Sequence, residues 1–254
     1  MRIEVVTLFP ALIAQGLRHG VLGRALDRGL LQVGTEDPRE HTHDAHRTVD
    51  DRPYGGGPGM VLKPEPLCAA IAAASARLPA GSLRIALCAQ GALLTQREVR
   101  ALASRPGLLL VAGRYEGIDE RVLTVAVDRT LSIGDYVLSG GELPALVLID
   151  ALARLMPGAL GDERSSATES FSDGVFDWPH YTRPETYAGQ AIPAVLSSGD
   201  HAAIERWRRR EALGRTWLTR PELLGRAPLD AQRRELLAEF LWERARAHEK
   251  GNEP

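Results

Sequence analysis

Apolar positions along the chain fall into two kinds of pattern, short unbroken runs and longer stretches of helical period. Residues 3–9 (Ile-Glu-Val-Val-Thr-Leu-Phe) read as a strand ended by Pro10. Residues 11–29 follow a helical pattern, and Leu31–Val33 read as a second strand. In residues 65–78 the spacing puts Leu67, Ile71, Ala74 and Leu78 on one helical face. Leu83–Cys88 and Leu108–Ala112 have the look of short buried strands on either side of a helix at about 95–104, and Leu123–Val127 reads as a further strand. Residues 142–156 are apolar on nearly every side, which predicts a helix buried all round, with a second subunit as one source of cover.

Strands alternating with helices predict an α/β domain built on a largely parallel sheet. After Pro157-Gly158 the character changes: residues 161–175 are polar and rich in Gly, Ser and Asp. They read as a linker between a catalytic domain at 1–160 and a smaller helical domain at 176–254. That second part predicts a helix at 200–213 capped by Asp200. A second, at 229–247, carries Leu229, Leu236, Leu237, Phe240 and Leu241 on one face.

Of the chain's 254 residues, 44% are hydrophobic and 25% charged, enough for a packed core. The net charge of −2 hides a local concentration. Residues 203–226 hold seven Arg (206, 208, 209, 210, 215, 220, 226) against three Glu (205, 211, 222), a local +4. Such a stretch suits a phosphate-binding face. It equally suits a solvated helix laced with intrahelical ion pairs. Cys68 and Cys88 form no C-x-x-C pair and read as small core residues of a reducing compartment. The start of the chain carries charge where a signal peptide would be apolar, and no apolar run approaches the ~18 residues of a membrane span. These features predict a cytoplasmic protein.

Three loops carry candidate chemistry. The segment 34–60 is polar and aperiodic, and loops of that length inside a domain tend to be functional. It contains Asp50-Asp51-Arg52-Pro53-Tyr54-Gly55-Gly56-Gly57-Pro58-Gly59, whose glycines allow unusual backbone angles and close approach. No Gly-Lys-Ser/Thr follows, so it is not a P-loop. His41, His43 and His46 lack a Cys or carboxylate at ligand spacing, so no metal site is expected there. The second loop is Gly113-Arg114-Tyr115-Glu116-Gly117-Ile118-Asp119-Glu120-Arg121, directly after a buried strand, where α/β sheets bind ligands. The third, Ser132-Ile133-Gly134-Asp135-Tyr136-Val137-Leu138-Ser139-Gly140-Gly141-Glu142, could read an adenine edge through main-chain groups while apolar side chains sandwich the ring. Each loop alone is weakly specific.

In this order the three loops resemble those of the bacterial tRNA (guanine-N1)-methyltransferases of the SPOUT class. The resemblance extends through Pro179-His180-Tyr181-Thr182-Arg183-Pro184-Glu185 and Leu213-Gly214-Arg215-Thr216, and so over essentially the whole chain. It implies a knotted SPOUT-type α/β domain, S-adenosyl-L-methionine as methyl donor, and methylation of guanine N1 at tRNA position 37, beside the anticodon. It also implies a homodimer whose active site is shared between subunits. Pattern reading by itself could not have suggested a knot, which base rates disfavour.

Carried over residue by residue, the resemblance assigns cofactor binding to Gly113, Tyr115, Glu116, Ile133, Gly134, Asp135, Tyr136, Val137, Leu138, Gly140 and Gly141. It assigns tRNA contacts to Asp50, Arg52, Gly55, Gly59, His180 and Arg183, and the basic stretch around Arg208–Arg210 and Arg215 joins them. Guanine N1 carries a proton, so its methylation requires a base, and the charge left behind moves toward O6, where a cation stabilises it. The resemblance makes Arg154 that cation. The base is typically an aspartate before Ser-Phe, where this chain has Glu169-Ser170-Phe171, with Asp162 and Asp173 as alternatives. Ala89, in Cys88-Ala89-Gln90-Gly91, is a second departure, since proline usually precedes Gln-Gly. Charge balance admits a Mg²⁺ ion, although the sequence has no dedicated metal cage. Rival readings are a knotted methyltransferase acting on a ribose 2′-oxygen or on rRNA, and a non-catalytic RNA-binding protein.

Overall fold

The computed structural model describes residues 1–161, 169–225 and 229–251, with side chains described as far as 246. The chain divides into two compact units, Met1–Glu163 and Arg164–Pro254.

In the first unit, β1 (Arg2–Val6) leads into α1 (Pro10–Gly16) and α2 (Gly20–Asp27), then β2 (Gln32–Glu36). The helical stretch expected at 11–29 is therefore two helices, and Gly20, at φ 68, begins the second. A short 3₁₀ turn (Pro38–His41) and the two-residue strands β3 (Asp50–Asp51) and β4 (Val61–Leu62) structure the long polar segment. There follow α3 (Pro64–Ser75), β5 (Leu83–Leu93), α4 (Gln96–Ala103), β6 (Gly107–Ala112), α5 (Glu120–Ala126), β7 (Arg129–Ser132) and α6 (Glu142–Ala153). Five of the strands form one sheet in the order β2-β1-β6-β5-β7, each neighbouring pair parallel. This is the α/β architecture on a parallel sheet that the alternation of patterns predicted, and it is consistent with the SPOUT-type domain that the resemblance implies.

Every residue of β6 is buried, as a central strand covered on both faces must be. One face carries Ile3, Val5, Ile85, Leu108 and Leu110 against α6, α4 and α2, and the other carries Val6, Ala86, Leu109 and Val111 against α3 and α5. Alternation along each strand thus divides the core between two layers.

The strand expected at Leu123–Val127 is instead helix α5. Asp119 caps it, accepting from the Arg121 N–H at 2.9 Å, and Val122 and Ala126, four residues apart, bury the same face. A short β-branched apolar run fits either period, and here the cap decided. The place beside β5 is taken by β7. Its register with β5 shifts between Leu87 and Ala92, both of which sit opposite Leu131, so residues 88–91 bow out of the sheet.

In the second unit, β8 (Thr186–Tyr187) and β9 (Gln190–Ala191) form an antiparallel hairpin turning through Ala188 (φ 50) and Gly189 (φ 79). Then come α7 (His201–Thr219), α8 (Pro221–Leu224) and α9 (Ala231–Gly251). Asp200 caps α7 as expected, accepting from Ala202 and Ala203 N–H at 2.9 and 3.0 Å. Leu213, Leu224, Leu236 and Leu237 make a small core of their own. Among the described residues no helix is long and apolar enough to cross a membrane.

Candidate cofactor cleft and candidate RNA-facing residues

Two loops that leave the carboxyl ends of β6 and β7, with the bow inside the adjacent strand β5, line one cleft of about 380 Å³. Parallel strands bring their carboxyl ends to the same edge, so loops far apart in sequence become neighbours. Leu87–Gln90 come from β5, Gly113–Ile118 from β6, and Leu131–Gly134 with Tyr136–Gly141 from β7. Of the eleven residues expected to hold a cofactor, ten line this cleft: Gly113, Tyr115, Glu116, Ile133, Gly134, Tyr136, Val137, Leu138, Gly140 and Gly141. Asp135 is not among the lining residues. Cys88, Ala89 and Gln90, the stretch that the resemblance sets at the edge of the cofactor pocket, also line it, because the bow in β5 carries them there. The Ala89 departure flagged that stretch.

The walls are brought close by missing side chains. The Gly141 N–H donates to the Gly113 carbonyl at 2.8 Å, and Arg114 bridges to Gly140. A Cβ at Gly141 would stand 2.6 Å from the Ala112 Cα and 2.9 Å from the Gly113 nitrogen, so only glycine fits without moving backbone. Tyr115 sits at φ 61, an unusual conformation for a bulky residue. Burial, then the neighbouring Asp50 carboxylate, pushes the Tyr115 hydroxyl above its ordinary pKa.

The glycine-rich loop docks on this second wall. The Glu116 N–H donates to the Met60 carbonyl (2.9 Å), and the Leu62 N–H to the Gly117 carbonyl (3.0 Å). Gly55, Gly56, Gly57 and Gly59 have φ of 84, 78, 122 and 76, angles that side chains resist, and Gly59 lies against the Glu116 side chain. The loop leaves Tyr54 100% exposed and Arg52 exposed at its tip.

Arg154 follows the last turn of α6, its N–H donating to the Asp150 carbonyl at 3.1 Å. Glu169 opens a turn in the second unit: its carbonyl accepts from Ser172 N–H (3.0 Å), and Phe171 N–H donates to Val175 (2.7 Å). The Ser170 hydroxyl donates to Asp177 (2.6 Å), and Phe171 meets Phe176 edge-on at 5.5 Å. Of the alternative carboxylates, Asp173 is ion-paired with Arg233, and Asp162 lies outside the described residues. Burial raises the pKa of Asp177, but hydrogen bonds from Ser170 and His180 outweigh it and hold this carboxyl below its ordinary value.

The basic stretch divides by role. Arg206 pairs with Glu239 and Arg210 with Glu243, both at 2.6 Å, tying α7 to α9. Arg209 pairs with Glu205 one turn away. Arg208 instead lies over the Trp178 ring at 4.9 Å, while Trp178 and His180 rings are 5.7 Å apart. Arg183 and Arg215 are exposed. Among the described residues no group of three His, Cys, Asp or Glu is placed to hold a metal ion.

A family model described as tRNA (Guanine-1)-methyltransferase TrmD matches residues 1–226. Similar proteins named tRNA (guanine-N(1)-)-methyltransferase come from Methylococcus capsulatus, 55% identical over 94% of this chain and 96% of that protein. Others are from Halorhodospira halophila, 54% identical over 99% and 96%, and Aeromonas salmonicida, 55% identical over 96% and 98%. With the glycine-lined cleft at the strand ends and a match over most of its length, the chain belongs to the tRNA (guanine-1)-methyltransferase family.

Proposed function

We propose that the protein transfers a methyl group from S-adenosyl-L-methionine to N1 of guanine 37 of tRNA, beside the anticodon. The observation that carries this reading is the cleft formed by the glycine-bearing loops at the carboxyl ends of β6 and β7 together with the bow in β5, in a member of this family. The cleft suits the cofactor chemically: Leu87, Ile118, Ile133, Val137 and Leu138 offer apolar walls for an adenine ring, and main-chain groups of 113–117 and 132–141 offer its polar edge partners. Glu116 and Glu120 bring negative charge to a cationic ligand. The bound cofactor supplies a methyl group already activated for transfer, so no protein nucleophile is needed.

The protein must therefore remove the N1 proton and stabilise the charge that shifts to O6. Glu169 is the proposed base and Arg154 the proposed cation. Asp50, Arg52, Gly55 and Gly59 are proposed to face the target nucleotide and its neighbours, with His180, Arg183, Arg208 and Arg215 on the phosphates. Incubation with labelled methyl donor and tRNA, followed by identification of the nucleoside, tests the reading. 1-Methylguanosine at position 37 is expected; a 2′-O-methyl product, methylated rRNA or no transfer would replace it with one of the rivals.

The proposal extends to a cytoplasmic homodimer with a knotted cofactor domain and an active site shared between subunits. Supporting the pairing, α6 leaves Leu143 and Val147 51% and 49% exposed in the single chain, where a partner's packing would cover them. Mixing an inactive cofactor-loop variant with Glu169→Ala should then restore activity on subunit exchange, up to about half the parent level per mixed dimer when sites act independently. No recovery despite exchange would place both residues in one chain's site. A Mg²⁺ ion balancing charge at the site belongs to the same proposal, and removal of the ion by chelation should then slow transfer.

The division within the basic stretch makes a separate prediction. Arg208→Ala and Arg215→Ala should each weaken tRNA binding and flatten its salt dependence, by roughly 0.7–0.9 in log–log slope per lost phosphate contact. Arg210→Ala removes a protein–protein ion pair and should leave that slope unchanged. Filter-binding titrations across salt concentrations measure both, and equal slopes for all three variants would count against the phosphate role.

A further inference from the structure

The Glu142 carboxylate is only 1% exposed, at the first turn of α6 behind the cleft wall, and Glu142 is absent from the lining. A buried carboxylate costs stability unless it is paired and hydrogen-bonded. Here Oε1 accepts from the Thr7 hydroxyl at 2.8 Å and Oε2 from Arg114 Nε at 2.9 Å. The helix N-terminus adds favourable potential for its charge. Arg114 also donates through Nη1 to the Ser139 carbonyl (3.1 Å), and its guanidinium lies 4.4 Å from the centre of the Phe9 ring. Phe9 is held in turn, since its N–H donates to Thr7 Oγ1 at 2.9 Å.

One carboxylate therefore connects three segments: the end of β1, the 113–118 loop and the 132–141 loop. The last two are opposing walls of the cleft. A Cβ at Gly140 would run into the linked pair itself, meeting the Arg114 Nε and, at 2.6 Å each, the Arg114 Cδ and the Glu142 Oε2.

We propose that Glu142 is a positioning residue for the methyl donor: through Arg114 it holds the two loops at the separation the cofactor requires. The proposal rests on the reading of this cleft as the S-adenosyl-L-methionine site. Glutamine in its place keeps the volume but puts an amide where a carboxylate faced a guanidinium, so the Arg114 link weakens while the fold persists. Arginine 114 acts from the same link, so the two side chains should be energetically coupled.

The test measures the Kd for S-adenosylhomocysteine by calorimetry, alongside steady-state constants. Glu142→Gln is expected to raise that Kd and the KM for methyl donor by about 10-fold or more, while kcat at saturating donor and the KM for tRNA stay within about 2-fold. Glu142→Asp should recover part of the loss. Arg114→Gln should show the same split, and the double variant should be no worse than either single one. Thr7→Val, a milder change, should raise the Kd by a few-fold and serves if Glu142→Gln fails to fold. A cleft-filling variant, Leu138→Trp, separates the two levels of the argument. If it abolishes binding while Glu142→Gln and Thr7→Val bind as the parent does, the positioning role is overturned and the cleft assignment stands. If Leu138→Trp binds normally, the cleft assignment itself fails. Equal falls in kcat and donor affinity in folded Glu142→Gln would also overturn the proposal, since a general loss of structure predicts that result.

Discussion

Replacing Glu169 with alanine is expected to slow methyl transfer by about 10²–10⁴-fold while cofactor affinity holds, the range seen when a general base is removed. Guanine N1 cannot attack while it carries its proton, and the guanidinium of Arg154 cannot accept that proton. Glu169→Gln, which keeps the shape and removes the acceptor charge, should lose nearly as much as alanine. Glu169→Asp should retain more, since it keeps an acceptor carboxylate at one methylene less reach. The surrounding turn is well anchored: Ser170 holds Asp177, Phe171 packs on Phe176, and Ser172 N–H closes on the Glu169 carbonyl. Asp173 is committed to Arg233, so Asp173→Asn should leave the rate within a few-fold of the parent. Single-turnover kinetics, with methyl transfer shown to limit the rate, decide the matter. A near-parent rate for Glu169→Ala would remove this residue from the role.

Gly141→Val is expected to lower cofactor affinity by about 10²-fold or more, because displacement of a binding wall by about an ångström carries costs of that order. The clash at this position is with the backbone of Ala112 and Gly113, which cannot rotate aside as a long side chain could. Accommodation must separate the 113–118 and 132–141 loops, and the Gly141–Gly113 hydrogen bond goes with it. Overpacking should also cost about 1–3 kcal/mol of stability, visible as a lower Tm. Gly161→Ala is the matched control, since a Cβ there meets nothing within 4 Å and the backbone angle is ordinary. Calorimetric titration with S-adenosylhomocysteine measures the effect. An affinity unchanged by Gly141→Val, in a folded protein, would mean the loops are not the cofactor's walls.

Much of this architecture is legible in the chain itself. The unbroken apolar run at Leu108–Ala112 identifies a strand covered on both faces, and Asp200 marks the start of α7, because burial and capping are local demands that leave local patterns. The three glycine-bearing loops are visible for the same reason: backbone that must bend sharply or lie close to a neighbour excludes most side chains. Where two local readings were equally good, the sequence was mute. Leu123–Val127 fits either period, and only the Asp119 cap and the packing of Val122 and Ala126 made it a helix. The charge of α7 likewise suited both a phosphate face and ion pairing. Its division between Arg206 and Arg210 on one side and Arg208 on the other depended on which side of the helix met α9. Glu142 closes the third loop motif, but nothing in sequence marks its burial, and it looks like the charged first residue of a helix. Its burial and its links to Thr7 and Arg114, 135 and 28 residues away along the chain, exist only once parallel strands have carried their ends to one edge of the sheet. Short-range sterics and solvation write themselves into neighbouring residues, whereas contacts across the sheet are created by its topology, which no local pattern encodes.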